Sequence, residues 1–328
     1  MNTQEIKRLF PGTAITLIAA LSALYLADHY NAPVMLFALL LGMALSFLSE
    51  DDNCCPGINF SSKTLLRLGV ALLGLRISFA QVQSVGLGNL LVISASVALT
   101  IVLGILLSRR FNRTRDFGLL TGGSVAICGA SAAMAIASVL PGHPDREKQV
   151  VFTVLCVTTL STLAMIVYPI IATQLELSDK DAGIFLGGTI HDVAQVVGAG
   201  YSVSESAGDF ATITKLYRVL MLVPVFLVLA AVFRNKGEST ETGKLPLPLF
   251  ILGFVACMLI ASLQLLPAIV VDVGLDASKF FLVMAIASLG MKSSPKVLFR
   301  GSAGALALVI LETLFIGALI LAWVLFSR

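Results

Sequence analysis

Long apolar runs divided by short polar punctuation run through nearly the whole chain. They fall at about 11–27, 33–49, 62–80, 86–108, 117–140, 149–173, 182–203, 211–233, 246–267, 277–292 and 301–326. Each is close to the length that crosses roughly 30 Å of hydrocarbon as a helix. The runs are aliphatic and small-residue-rich with no strand-like alternation, so helices rather than a barrel are expected. Turn signals separate them at Asn31–Pro33, Asp51–Gly57, Pro141–Pro144, Ser178–Asp181, Ser202–Asp209 and 235–248. The pattern predicts an all-α polytopic membrane protein of about eleven transmembrane helices, or ten if the run at 117–140 turns back.

Composition narrows this further. Of 328 residues, 57% are hydrophobic and only 12% charged, which excludes a soluble globular domain. Mean hydropathy is +0.96. A net charge of +3 is too small to suggest nucleic acid. Lys7 and Arg8 precede an apolar run that lacks a clear cleavage site, so that run is read as the first span and not as a signal peptide. Lys and Arg counted on alternate sides favour one side by roughly two to one. The N-terminus is therefore expected in the cytoplasm and the C-terminus in the periplasm.

The same residues argue against an enzyme. There is no Walker A motif, no HExxH and no nucleophile elbow, and His29, His143 and His191 lie on separate runs or loops. No metal, cofactor or catalytic residue is expected. Cys54, Cys55, Cys128, Cys156 and Cys257 give no disulfide framework, since three lie in apolar runs and two are neighbours.

The chemistry concentrates in two stretches. Gly187 to Gly200 reads GGTIHDVAQVVGAG and places His191 and Asp192 side by side at membrane depth. Ionisable groups there cost a few kcal/mol and usually face a cavity or partner. Gly122 to Ala132 reads GGSVAICGASA, with the same opening of two glycines, a hydroxyl residue and a β-branched residue. Paired glycines weaken a helix, so discontinuous helices are expected near 122–132 and 187–200, the first unwound over a segment that includes Gly122, Gly123 and Gly129 and the second broken near Gly187 and Gly188. Candidate substrate contacts are Gly122, Gly123, Ser124, Cys128, Ser131, Gly188, Thr189 and Gln195, with His191 and Asp192 as the proton or coupling-ion groups. On a continuous helix His191 and Gln195 would share a face. An unwound segment at 122–132 would also offer a half-helix N-terminus to an anion.

Lys215 and Arg218 stand three apart and either snorkel to the interface or point inward. If inward, Arg218 is the expected positive contact for an anion. Arg76 reads as a topological charge. Glu312, deep in the last run, is either a proton site or half of a buried ion pair.

Duplication is suggested by the segments from Leu73 (LGLRISFAQVQSVG) and Leu289 (LGMKSSPKVLFRG), which would have opposite orientations, as inverted repeats require. The two Gly-Gly stretches would instead be parallel, which a simple inverted repeat does not explain.

On Gly122 to Ala132, Gly187 to Gly200, Lys215 to Pro224 (KLYRVLMLVP) and Leu73 to Arg76, the chain resembles the bacterial inner-membrane family named for sulfate export and typified by the YeiH proteins. The resemblance runs almost end to end. It implies kinship with bile-acid-symporter and sodium–proton-antiporter types. That means inverted repeats, crossing discontinuous helices, alternating access, and core and scaffold subdomains interleaved within one transmembrane domain at 1–328, with a cytoplasmic linker at about 234–245. A homodimer follows by analogy.

The leading expectation is a secondary active transporter of a small anion of the sulfate, sulfonate or carboxylate class, coupled to protons or sodium. The competing readings are a cation–proton antiporter centred on Asp192 and a non-transporting membrane sensor or assembly factor.

Overall fold

A computed structural model of the chain describes residues 3–30, 33–234, 249–293 and 303–327. The expected linker beyond Arg234 and the second duplicated segment beyond Ser293 lie outside them. Within the described residues every element is helical.

In chain order the α-helices are α1 (Thr3–Tyr30), α2 (Val34–Ala44), α3 (Cys55–Phe60), α4 (Leu66–Leu73), α5 (Phe79–Val85), α6 (Leu87–Ser108), α7 (Arg115–Ala126) and α8 (Ala130–Val139). They continue with α9 (Arg146–Gln174), α10 (Asp179–Thr189), α11 (Val193–Val203), α12 (Glu205–Leu220), α13 (Leu222–Arg234), α14 (Leu249–Ser262), α15 (Ala268–Lys292) and α16 (Ala303–Phe326). A π turn at Ser61–Leu65 joins α3 to α4. Among the described residues, five helical stretches are long and apolar enough to cross a membrane: Lys7–Tyr30, Leu87–Phe111, Arg146–Gln174, Glu205–Phe233 and Ala303–Phe326. Val34–Ala44, Ala130–Val139, Val193–Val203 and Phe250–Ser262 are apolar but shorter.

Several boundaries differ from the hydropathy reading. The helix expected from 62 begins at Cys55, with Pro56 in its first turn, where a missing N–H costs nothing. The helix expected from 277 begins at Ala268, directly after Pro267. The turn expected over 202–209 shrinks to Ser204, whose hydroxyl accepts the Ala207 N–H and caps α12. A polar run that reads as a loop is therefore the first turns of a helix. This places Lys215 in the second half of α12 and Arg218 in its last turn.

The chain divides into two compact units, each assembled from three separate segments. The first comprises residues 1–84, 197–209 and 248–294. Here α15 packs on α2 and α4, and α1 packs on α2 and α3. The backbones approach closely where side chains are missing. A Cβ on Gly42 would collide with the Ala287 carbonyl, and one on Gly57 with the Leu9 carbonyl. In lipid, helices gain little from the hydrophobic effect against one another, so this close packing is what holds them. Arg76 belongs to the same unit and forms ion pairs with Glu205 and Asp209, while Tyr201 donates to Asp209 at 2.6 Å. The two carboxylates compensate the guanidinium charge. A charge read as purely topological is thus a structural one.

The second unit comprises residues 85–196, 210–247 and 295–328. Its core contact is α6 on α7, where Gly104 and Gly118 face one another and a Cβ on either would strike the other's carbonyl. The last helix, α16, packs against α6, α7, α9 and α10.

Candidate functional site

The site lies in the second unit, where two interrupted helices meet. The first interruption, Ile127 to Gly129, separates α7 from α8, and the second, Ile190 to Asp192, separates α10 from α11. Each first half is started by a hydroxyl cap. Thr114 accepts from Phe117 N–H and Ser178 from Asp181 N–H, and acidic Asp116, Asp179 and Asp181 in the first turns suit the positive helix ends. The first interruption turns on Gly129, at φ +64° and ψ −118°, a conformation that residues with a Cβ rarely adopt. The two interruptions touch. A Cβ on Gly129 would lie 3.9 Å from the His191 Cβ.

Both helices break within the expected stretches, and Gly129 lies at the first break, but the glycine pairs themselves do not unwind. Gly122, Gly123, Gly187 and Gly188 are helical and buried. They serve close approach instead: Gly122 to Thr100 and Ile101 of α6, Gly187 to the Ala211 backbone of α12, and Gly188 to Ile320 of α16. Unwinding comes a few residues later, at Ile127 to Gly129 and Ile190 to Asp192, and leaves backbone carbonyls free of the helix ladder.

Those carbonyls are gathered by two cations. Lys215 and Arg218 on α12 are fully buried, each at 0% exposure, so neither snorkels. The Lys215 ammonium donates to the Ile127 carbonyl at 2.7 Å and the Ile190 carbonyl at 2.9 Å. Arg218 donates from Nε to Ala126 at 3.0 Å, from Nη1 to Gly187 and Ile190 at 3.1 Å each, and from Nη2 to Val125 at 3.0 Å and Ala126 at 2.7 Å. These are the carbonyls that the ends of α7 and α10 leave without intrahelical partners, and they carry the negative ends of two helix dipoles. The likeness between the two Gly-Gly stretches has a structural counterpart. Val125 and Ile190 hold the same place in GGSV and GGTI, and both give their carbonyl to Arg218.

A guanidinium has five donor hydrogens, and Arg218 makes five bonds to backbone. It has no donor left for an anion, so the direct contact expected of it is taken up by carbonyls. Lys215 has three donor hydrogens and uses two on carbonyls.

The other expected residues separate into groups. Ser124 and Thr189 are buried, but each hydroxyl donates back to its own helix, to Leu120 at 2.5 Å and Phe185 at 2.6 Å, leaving only acceptor lone pairs. Cys128 is buried in the first interruption and unoxidised. Ser131 sits on the first turn of α8 and is exposed.

His191 precedes α11 and does not share a helical face with Gln195. Its Nδ1 lies 3.1 Å from the Val125 carbonyl, which can only accept, so that nitrogen carries a proton. Its Nε2 lies 3.0 Å from Thr313 Oγ1 on α16. Asp192 is half-buried and acts as the α11 cap, accepting the Ala194 N–H at 3.2 Å, while its own N–H donates to Ser161. Gln195 is buried, its amide nitrogen 3.5 Å from Thr162, and its carbonyl oxygen has no hydrogen-bond partner.

Glu312 and Thr121 were not foreseen as a pair. The Thr121 hydroxyl is 2.8 Å from Glu312 Oε1. Thr121 directly precedes the first glycine pair, but nothing local in the sequence sets it opposite Glu312.

The family model described as "Conserved hypothetical protein 698" matches residues 11–309. The chain is 51% identical over 317 residues to the UPF0324 membrane protein CT0845 of Chlorobaculum tepidum, covering 96% of this chain and 88% of that one. It is 49% identical over 319 residues to the UPF0324 membrane protein TauZ of Paracoccus denitrificans, covering 96% and 94%. The UPF0324 membrane protein RB0971 of Rhizobium meliloti is 49% identical over 315 residues, covering 95% and 91%. No solved structure matches the chain. This chain, helical throughout its described elements and matched almost end to end by these relatives, belongs to the UPF0324 membrane proteins, the YeiH-like family of conserved hypothetical protein 698.

Proposed function

We propose that this protein is a secondary active transporter of a small anion of the sulfate, sulfonate or carboxylate class, coupled to proton movement and working by alternating access. The observation that carries this reading is the pair of buried cations at the meeting of the two interrupted helices. Two full positive charges stand against two C-terminal helix ends of about half a charge each, against Asp192, and beside two N-terminal ends of about half a charge. Roughly one positive charge is left in excess, which suits an anion.

The third Lys215 hydrogen and the first turn of α8 are the contacts to which the anion is assigned. The α8 N-terminus has Gly129 as its cap, and of its first-turn amides the Ala132 N–H faces the Cys128 sulfur. Gly122, Gly123 and Gly188 shape the surrounding helices, Arg218 fixes the crossing, and Cys128, Ser131 and Gln195 line its approaches. The same charge excess weighs against a cation–proton antiporter centred on Asp192, whose carboxylate already serves the α11 amides. In this reading the helices make about eleven crossings, with the N-terminus cytoplasmic in a bacterial inner membrane.

The test is thermal unfolding of the purified full chain with sulfate, methanesulfonate or acetate against chloride, followed by labelled sulfate flux in proteoliposomes. A ligand of the folded state raises stability by mass action. Stabilisation by one of these anions, lost in Lys215→Gln, with gradient-driven flux is expected. Sodium or proton flux that needs no anion and disappears in Asp192→Asn would establish the antiporter instead. Anion binding with no flux under any gradient would establish a sensor.

A further inference from the structure

Glu312 lies in the middle of α16 and is fully buried. Its Oε1 accepts from Thr121 at 2.8 Å, and Thr121 is also 3.3 Å from the Gly118 carbonyl. Its Oε2 has no hydrogen-bond partner. Among the described residues no cation forms an ion pair with it; Arg76, Arg146 and Lys148 pair with other carboxylates. A carboxylate held this way would leave a full charge and a bare oxygen in a low-dielectric core, whereas a neutral acid leaves one hydroxyl.

The charged residues on the described elements packed against α16 lie at the ends of those elements. On the elements packed against α16, α6 has no ionisable residue. In α7 they are Arg115 and Asp116, in its first turn. In α10 they are Asp179, Lys180 and Asp181, likewise in the first turn, and in α9 Arg146, Glu147 and Lys148 at the start, with Cys156 and Tyr168 inside. Arg109 and Arg110 lie in the turn after α6. Tyr168 faces α16 at Gly317, where a Cβ would come within 3.2 Å of its hydroxyl. The neighbouring residue Thr313 contacts His191 at 3.0 Å. Consecutive residues of one helix thus touch both interrupted elements: Glu312 reaches α7 through Thr121, and Thr313 reaches the second interruption through His191.

We infer that Glu312 is a proton-carrying residue of the transport cycle, held as a neutral acid in the arrangement described here and linked to the crossing through Thr121. The inference rests on the anion-transport reading. In the step it performs, the carboxyl O–H bond breaks, the electron pair stays on the carboxylate, and the proton passes to water when the helices rearrange and admit it. The reverse step restores the acid. Because the arrangement that holds the anion also holds the acid, one proton binds with each anion.

Two measurements test this on the full chain. Infrared difference spectra of wild type minus Glu312→Gln are expected to contain a protonated-carboxyl band that declines reversibly as pH is raised. Thr121→Val, which removes the hydrogen bond, is expected to shift that band. Absence of the band, or a band that no pH alters, would overturn the inference whether or not any anion is bound.

Sulfate binding to wild type is expected to weaken by about tenfold per pH unit above the Glu312 titration, the slope of one linked proton. In Glu312→Gln, which mimics the acid, binding is expected to be tight and flat with pH. A slope that survives in Glu312→Gln but vanishes in His191→Gln assigns the proton to His191 and overturns the inference, leaving the anion reading intact. If sulfate, methanesulfonate and acetate all fail to bind, the anion reading falls, and the infrared result still decides whether Glu312 carries an exchangeable proton.

Discussion

Arg218 holds the Ala126 carbonyl twice, from Nε at 3.0 Å and from Nη2 at 2.7 Å. Its remaining donors reach Val125 beside it and, on the other interrupted helix, Gly187 and Ile190. One side chain therefore ties the ends of α7 and α10 together, and Lys215 repeats the link one turn earlier.

That geometry makes Arg218 irreplaceable by charge alone. Lysine offers three donors and no planar fork, so Arg218→Lys leaves buried carbonyls unpaired. A loss of about 2 kcal/mol is expected. Arg218→Met, which also removes the charge, is expected to cost about 3 kcal/mol or more. Thermal or denaturant unfolding in detergent measures both, and equal stability of wild type and Arg218→Lys would contradict the assigned role.

The glycines separate by mechanism. At Gly129 a Cβ fits, its nearest neighbour being Val157 at 3.6 Å, but the backbone is at φ +64°. Gly129→Ala is therefore expected to cost about 1–2 kcal/mol through backbone strain alone. At Gly187 the backbone is helical, but a Cβ would strike the Ala211 carbonyl, which cannot turn aside. Gly187→Ala is expected to be the more damaging of the two in melting temperature and folded yield.

Gln195 separates stability from function. Its buried carbonyl oxygen has no hydrogen-bond partner, and a group left so costs about 1–3 kcal/mol. Gln195→Leu, of similar volume, is expected to unfold no earlier than wild type. If Gln195 lines the anion path, the same variant loses stabilisation by sulfate. A marked drop in stability would show instead that the amide holds the fold.

Thr313→Val deletes the hydroxyl 3.0 Å from His191 Nε2 while keeping the side-chain shape. A modest cost of about 1 kcal/mol is expected. The His191 imidazole signals are expected to shift in nuclear magnetic resonance of the labelled protein. Unchanged signals would remove α16 from the environment of the second interruption.

Much of this protein is set by the linear order of residues. Apolar runs of spanning length decide that it is helical and membrane-embedded, since no other backbone arrangement made of such runs satisfies its own hydrogen bonds in lipid. The two GG-hydroxyl-β-branched stretches, with His191 and Asp192 beside one of them, mark the interrupted helices because charge and paired glycine at that depth both need a local reason.

Position and partner were settled only by the fold. Whether Gly122 and Gly187 unwind a helix or bring two together depends on what lies across from them, and that is α6 and α12, distant in sequence. Lys215 and Arg218 read as either snorkelling or inward, Lys215 more as snorkelling, and only the fold buries both. Hydropathy records how much each residue prefers lipid to water, but it does not record which carbonyls are left without partners or where they converge. That convergence turns two cations and two helix ends into one site.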